Sequence, residues 1–285
     1  MPQPSRAYTP TSSTGSHTCR SRGNGSADVG ILDNRIAVIT GGGRGIGRAL
    51  AEAFGAAGAA VVVSARTTAE VDAVAAAITA AGGRAHAVTA DALDRNSARE
   101  PVRVAMATFG RCDIVVNNVG GTIGSGPSPF TADDESFEST LVLNLTTAYW
   151  TTSEALPHMR TQGFGRVINI GSGAARHASG SIAYTTAKHG LIGLTKQLAL
   201  STARHGITVN CLCPGWTNTS LVDFDRIGAR SGASAAEARS QAEADNAQHR
   251  VLEPEELAPM ALLLASDAGA GITGQVINVD GGYRL

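Results

Sequence analysis

The chain is 285 residues long, 43% apolar and 16% charged, with a formal net charge of −1. That length and apolar share allow one large α/β domain, or two small ones, with a sizeable core. A charge so near zero gives no electrostatic basis for nucleic acid or an anionic membrane as partner, and no apolar run reaches the roughly 18 to 20 residues of a transmembrane helix.

Residues 1–30 are rich in Ser, Thr, Gly and Pro and poor in large apolar groups, the composition of a disordered tail. They lack the apolar stretch of a secretory signal. From residue 35 the pattern alternates: "RIAVIT" reads as a buried strand, "GGGRGIG" opens an Ala-rich helix, and "AAVVVSAR" is a second strand, which makes a βαβ unit. A helix over "TAEVDAVAAAITAAGG", a strand "RAHAVTA", a helix over 95–109 and a strand "CDIVVNN" follow. Residues 134–160 form one long helical pattern, "GRVINIGS" a strand, 182–204 a helix and "GITVNCLCPG" a strand. Near the end, "EPEELAPMALLLAS" reads as a helix and "GQVINVD" as the last strand. Seven apolar strands separated by helices predict a single Rossmann-type, doubly wound parallel sheet with helices on both faces. Residues 217–250 interrupt the alternation with a polar stretch holding two helical segments, too long for an ordinary connection and expected to be a lid over the site.

The four cysteines, Cys19, Cys112, Cys211 and Cys213, make no zinc-type spacing, so no metal site is expected. Cys211 and Cys213 point to one face of a strand but are not an easy disulfide pair. Reduced, buried thiols in a cytoplasmic protein are expected instead.

"TGGGRGIG", Thr40 to Gly47, lies between the first strand and the first helix. Glycines there permit a tight turn and let the backbone approach a pyrophosphate, whose charge a helix N-terminus stabilises. An NAD site would carry an acidic residue at the end of the second strand, but "SAR" stands there, with Ala65 at the acidic position, Arg66 after it and Arg44 inside the glycine turn. Two guanidiniums without a carboxylate suit a 2′-phosphate, which favours NADP(H) over NAD(H). Either arginine alone also fits an ordinary surface charge. Asp91, ending the third strand, suits either an adenine amino group or a turn.

Only two of the 23 basic residues are lysines, and one of them is in "YTTAK", where Tyr184 and Lys188 are i and i+4 on a helix. A phenol is a poor general base at neutral pH, and an adjacent ammonium favours its ionised form. Ser172, just past the strand "RVINI", sits at the carboxyl edge where such sheets bind ligands. Its hydroxyl suits a substrate oxygen, or merely a turn. Asn144 in "VLNLTT" is a poor helix former among apolar neighbours, fit to hold a water near Lys188 or to be a satisfied buried amide.

Taken in order, TGGGRGIG, Asp91, "NNVG" at 117–120, Asn144, Ser172, "YTTAK", "PGWTNT" at 214–219 and "NVDGG" at 278–282 resemble the short-chain dehydrogenase/reductase family over residues 31–285. The resemblance implies a tetrad of Asn144, Ser172, Tyr184 and Lys188, with Tyr184 as acid/base and Ser172 orienting the substrate oxygen. Lys188 would hold the nicotinamide ribose and favour the ionised phenol, and Asn144 would carry a proton-relay water. The cofactor surface it implies comprises Gly41, Gly43, Arg44, Gly45, Ile46, Gly47, Arg66, Asp91, Ala92 and Asn118, then Tyr184, Lys188, Pro214, Gly215, Thr217 and Thr219. It further implies a homotetramer. Three departures stand out: Val119 where the family usually has Ala, a Ser172–Tyr184 interval one residue short, and Thr217 where Val or Ile is common.

The expected activity is hydride transfer between NADP(H) and a ketone or secondary alcohol of a small molecule. The pocket is expected from residues 121–130, the 174–181 loop and the lid with Trp216, Leu221 and Phe224, while His177 and His189 read as surface groups. A 3-oxoacyl carrier or coenzyme A reductase is the second reading, and a non-catalytic NADP(H)-binding regulator the third.

Overall fold

The structure is a computed structural model that describes residues 30–124, 130–131, 133–178 and 180–285, so the expected tail lies almost wholly outside the described residues. The strands β1 (Ile36–Thr40), β2 (Ala60–Ala65), β3 (Arg84–Thr89), β4 (Ile114–Asn117), β5 (Gly165–Ile170), β6 (Ile207–Pro214) and β7 (Val276–Val279) form a seven-stranded sheet. Its order is β3-β2-β1-β4-β5-β6-β7 and every pairing is parallel. The expected doubly wound sheet is therefore present. Strands β1, β4, β5 and β6 are buried along their whole length, which is why they read as continuous β-branched runs.

Helices α1 (Gly45–Ala56), α2 (Thr68–Ala80) and α9 (Ala258–Ala265) cover one face, where Leu50, Phe54, Val71 and Leu264 pack on Ile39 and Val63. On the other face α3 (Arg95–Phe109), α5 (Thr147–Gln162) and α6 (Ile182–Thr202) pack Val102, Met159 and Ala199 on Val38, Val62 and Val115. Each large apolar side chain so buried contributes roughly 1.5–3 kcal/mol. Local signals set the ends of α3: Asp94 accepts from the Ser97 N–H, and Gly110 follows in the left-handed region at φ 75°.

Strand β1 lies between β2 and β4, so the chain direction of winding reverses there and a crevice opens at the carboxyl ends of β1 and β4. Beneath it a buried chain of amides and hydroxyls ties sheet to helices. Asn117 donates to Thr152 Oγ1 (2.9 Å) and Asn169 Oδ1 (2.8 Å), and Asn169 donates to Thr195 Oγ1 (2.9 Å).

The expected single helix over 134–160 is instead α4 (Asp134–Leu141), a π-turn over Val142–Thr146, and α5. The Thr147 N–H bonds Val142 O, five residues back, while Asn144 Nδ2 reaches Thr140 O at 2.8 Å. A side-chain donor inserted in the ladder is a physical cause of such a widened turn.

Residues 217–250 carry the two expected helical segments, α7 (Phe224–Ser231) and α8 (Ala235–Ala244). Ser234 and Glu237 close a capping box at α8. The segment is fixed at both ends: Thr217 bridges Leu252, and Asn246 bridges Tyr283. Arg250 grips both Glu256 oxygens at 2.6 Å and, with the Glu253 N–H, holds that carboxyl down at about 2. Cys112, Cys211 and Cys213 are free and buried, and the last two sulfurs lie 3.7 Å apart on one face of β6. Among the described residues, no helix is long and apolar enough to cross a membrane.

Candidate active site

The glycine turn sits at the carboxyl end of β1 and leads into α1. Gly41 and Gly45 have φ of 63° and 53°, the left-handed region that favours glycine. A Cβ at Gly47 would lie 2.2 Å from Gly41 O and 2.4 Å from Asn118 Nδ2, so the turn closes only on hydrogen there. The N-cap of α1, Arg44, offers no side-chain cap to the first-turn N–H groups, Ile46 included. An uncapped helix N-terminus beside a tight glycine turn fits a pyrophosphate.

At the ribose end the expectation needs correcting. The stretch "SAR" brings no carboxylate, but the fold does: Glu70, in the first turn of α2, lies 3.8 Å from Arg44 Nη1. Arg66 is exposed and makes no ion pair among the described residues. Two guanidiniums therefore share the region with one carboxylate. Asp91 shapes a turn, its Oδ1 accepting from the Leu93 N–H at 3.0 Å. Thr40, Gly41, Ala65, Ala90, Ala92 and Val119 line a small crevice beside it, so the Val119 departure lies in the crevice wall. Asn118 spends its amide on the turn itself, donating to Thr40 O (3.2 Å) and Gly41 O (2.9 Å). Its position in the sequence could not show that it braces the turn.

At the chemical end, Ser172 follows β5 and opens a 3-10 turn over Gly173–Ala175 that packs on α6. Ser172 Oγ accepts from the Ala174 N–H at 3.1 Å, leaving its own hydrogen to donate. Ser181 caps α6 by accepting from the Tyr184 N–H at 3.2 Å, which fixes Tyr184 in the first turn. One turn on, Lys188 is 3% exposed, its Nζ 2.9 Å from Ile170 O and 5.6 Å from the Tyr184 ring centroid. Asn144, 1% exposed, donates to Gly121 O at 2.7 Å and accepts from the Gly121 N–H at 3.0 Å. Its amide is thus bonded to backbone groups on both its oxygen and its nitrogen.

Gly120 joins the two. A Cβ there would lie 2.9 Å from Asn144 Oδ1 and 3.2 Å from Lys188 Nζ, too close for either group to stay in place. We expect Gly120→Ala to fold yet to lose about tenfold in kcat/KM, since it forces Asn144 and Lys188 to shift by a fraction of an ångström from positions the chemistry depends on. Steady-state kinetics beside a circular dichroism melt check it, and an active, well-folded variant would refute it.

The segment after β6 closes the site. Pro214 ends the strand, and a Cβ on Gly215 would strike Asp280 O at 2.7 Å. The Leu252 N–H donates to Trp216 O (2.9 Å) and the Asn218 N–H donates to Leu252 O (2.8 Å), so the backbone N–H and C=O of Thr217, between them, are not spent on this bridge. Thr217 itself is 2% exposed, and its hydroxyl bonds Gly215 O. Thr219 Cγ2 would meet a Cβ on Gly45 at 3.1 Å, which brings this segment onto the glycine turn. Trp216 is held by Asp245 Oδ2 (3.2 Å) and the tilted Phe224 ring, while Leu221 and Leu143 flank Gly121. Tyr283, unforeseen from sequence, presses on Gly173 and stacks edge-on with His177. Residues 125–129 and 179, part of the expected pocket loops, lie outside the described residues.

The structure thus brings Asn144, Ser172, Tyr184 and Lys188 to one end of the crevice and the glycine turn, Arg44 and Arg66 to the other. Comparison with known proteins gives the family. The short chain dehydrogenase family matches residues 35–227. The chain is 35% identical over 257 residues to a 3-oxoacyl-[acyl-carrier-protein] reductase of Synechocystis sp., covering 89% of this chain and 98% of that one. It is equally similar, 35% over 259 residues, to a D-beta-hydroxybutyrate dehydrogenase of Cupriavidus necator, covering 89% and 99%. A Beutenbergia cavernae structure solved with NADP bound at low occupancy superposes with a TM-score of 0.79 at 34% identity, over 88% of this chain and 96% of that one. With most of its length matched and its motifs in one crevice, the chain belongs to the short-chain dehydrogenase/reductase family and is an oxidoreductase.

Proposed function

We propose that the enzyme interconverts a small-molecule ketone and secondary alcohol with Tyr184 as acid/base, and that it favours NADP(H) over NAD(H). One observation carries the chemistry: a buried lysine, one of two in the chain, stands one helical turn from Tyr184 with its ammonium beside the loop that presents Ser172. When bound, the nicotinamide supplies or accepts the hydride. Tyr184 gives its phenolic proton to the carbonyl oxygen in reduction and takes it back in oxidation. Ser172 donates the hydrogen that its bond from Ala174 leaves free, holding the substrate oxygen. Lys188 uses one N–H on Ile170 O, which aims the remaining two away from that carbonyl. Asn144 holds the Gly121 backbone that borders the pocket, where Leu143 and Leu221 supply apolar surface for the substrate.

The acyl-thioester reading draws support from the Synechocystis relative. Charge argues against it: residues 217–250 hold Arg226, Arg230, Arg239 and Arg250 against Asp223, Asp225, Glu237, Glu243 and Asp245, four basic groups to five acidic. Such a lid has no net attraction for an acidic carrier or a phosphorylated arm. The same proposal treats 31–285 as one catalytic domain with its lid at 217–250, in a cytoplasmic homotetramer, whose mass light scattering would give. Oxidation of NADPH and NADH followed over a panel of ketones and acetoacetyl thioesters tests the activity. Turnover of simple ketones is expected; thioester-only turnover favours the second reading, and tight cofactor binding without turnover of any carbonyl would make the protein a regulator.

A further inference from the structure

Glu70 is a charged group beside the glycine turn that neither the motifs nor the proposed chemistry uses. It stands in the first turn of α2, a place where an acidic residue commonly just complements the helix dipole. Its surroundings point further. A Cβ on Gly43 would lie 2.9 Å from Glu70 Cβ, 3.1 Å from its Oε2 and 3.4 Å from Ala65 Cβ. The carboxylate and the end of β2 therefore face the same point of the glycine turn. The side chain is about one-third exposed, makes no capping box with Thr67, and has Arg44 as its ion-pair partner among the described residues.

We infer that Glu70 sets the balance between NADP(H) and NAD(H), supplying from the neighbouring helix the carboxylate that β2 lacks at Ala65. This rests on the proposed role of Arg44 and Arg66 toward a 2′-phosphate. Against a 2′-phosphate, Glu70 repels the dianion and competes for Arg44. Against a 2′-hydroxyl, the same oxygens are hydrogen-bond acceptors, the role of an acidic residue in NAD sites. The chain consequently discriminates less sharply than its two arginines alone would, and it retains use of NAD(H).

Calorimetric titration with adenosine 2′,5′-bisphosphate and with adenosine 5′-monophosphate isolates the 2′-phosphate without any turnover. Glu70→Gln is expected to raise the ratio of the two affinities about tenfold, the scale of one solvent-screened charge facing a dianion a few ångströms away. In an Arg44→Gln background the direct repulsion of the dianion remains and only the competition for Arg44 is gone, so the same change should still raise the ratio, by less than about tenfold. Glu70→Ala repeats the measurement should Gln disturb the helix start. A ratio that stays within twofold of wild type in both folded Glu70 variants overturns the inference. Should the wild-type protein prefer the 5′-monophosphate while Glu70→Gln still raises the ratio tenfold, the role of Glu70 stands and the proposed NADP(H) preference falls.

Discussion

Tyr184→Phe should abolish turnover in both directions, by about 10³-fold or more in kcat, while cofactor affinity and melting temperature stay near those of the wild type. Removing a general acid/base costs roughly 10²–10⁴-fold, and the high end applies where no other proton donor is placed to take over. The substitution deletes only the hydroxyl. The backbone N–H that Ser181 caps remains, and the ring edge against Gly180 keeps its contact. Steady-state kinetics in both directions, with a cofactor titration on the same sample, measure it. Retention of a tenth of the activity would remove Tyr184 from the acid/base role.

Lys188→Met is the second large effect, expected at about 10²–10³-fold in kcat/KM with the cofactor KM raised as well. Methionine matches the length and apolar stem of a side chain that is 3% exposed, so the volume stays filled. What disappears is the ammonium. Ile170 O loses its partner, at about 1–3 kcal/mol, but a buried charge is removed as well, so the melting temperature should move less than the activity. Lys188→Arg should not rescue. The space beside Nζ is bounded by Gly120 and Ile170 O, which admits a compact ammonium and not a planar fork. In a chain that uses arginine for nearly all its basic groups, this is where the exchange fails. Rescue by arginine, or a loss confined to stability, would contradict the role given to Lys188.

The sheet could be read from the chain because parallel strands buried on both faces leave a plain mark: β1, β2, β4 and β6 are mostly apolar and β-branched, and β1 and β2 are each followed by a helix-period stretch. Tyr184 and Lys188 could be read because a single helix relates them, so spacing alone puts them together. Glu70 could not. Its neighbours Arg44 and Gly43 lie on another element, and along the sequence it looks like any acidic residue opening a helix. The packing roles of Asn118 and Gly120 could not be read for the same reason, since their partners Gly41, Asn144 and Lys188 come from three other places in the chain. Asp91 had two local readings, and the Leu93 N–H bond at 3.0 Å shows that it takes part in a turn, with its second carboxylate oxygen still able to accept. The crossing of the acidic first turn of α2 toward the glycine turn is a tertiary fact, and it alters the balance of charge that "SAR" and Arg44 had implied.

The π-turn over Val142–Thr146 is, in genetic terms, worth one codon. Deleting a single residue there would let α4 and α5 run on as one regular helix, and propensity alone would favour the change. It would also turn everything before the deletion by about 100° relative to everything after it. Thr140, which receives Asn144 and serves the Ile123 N–H, would leave its neighbours, and the hold on the Gly121 backbone would go with it. A shorter and locally more stable helix would thus be a worse enzyme, and in a library of single-codon deletions these five positions should be depleted under selection for activity but not under selection for folding alone.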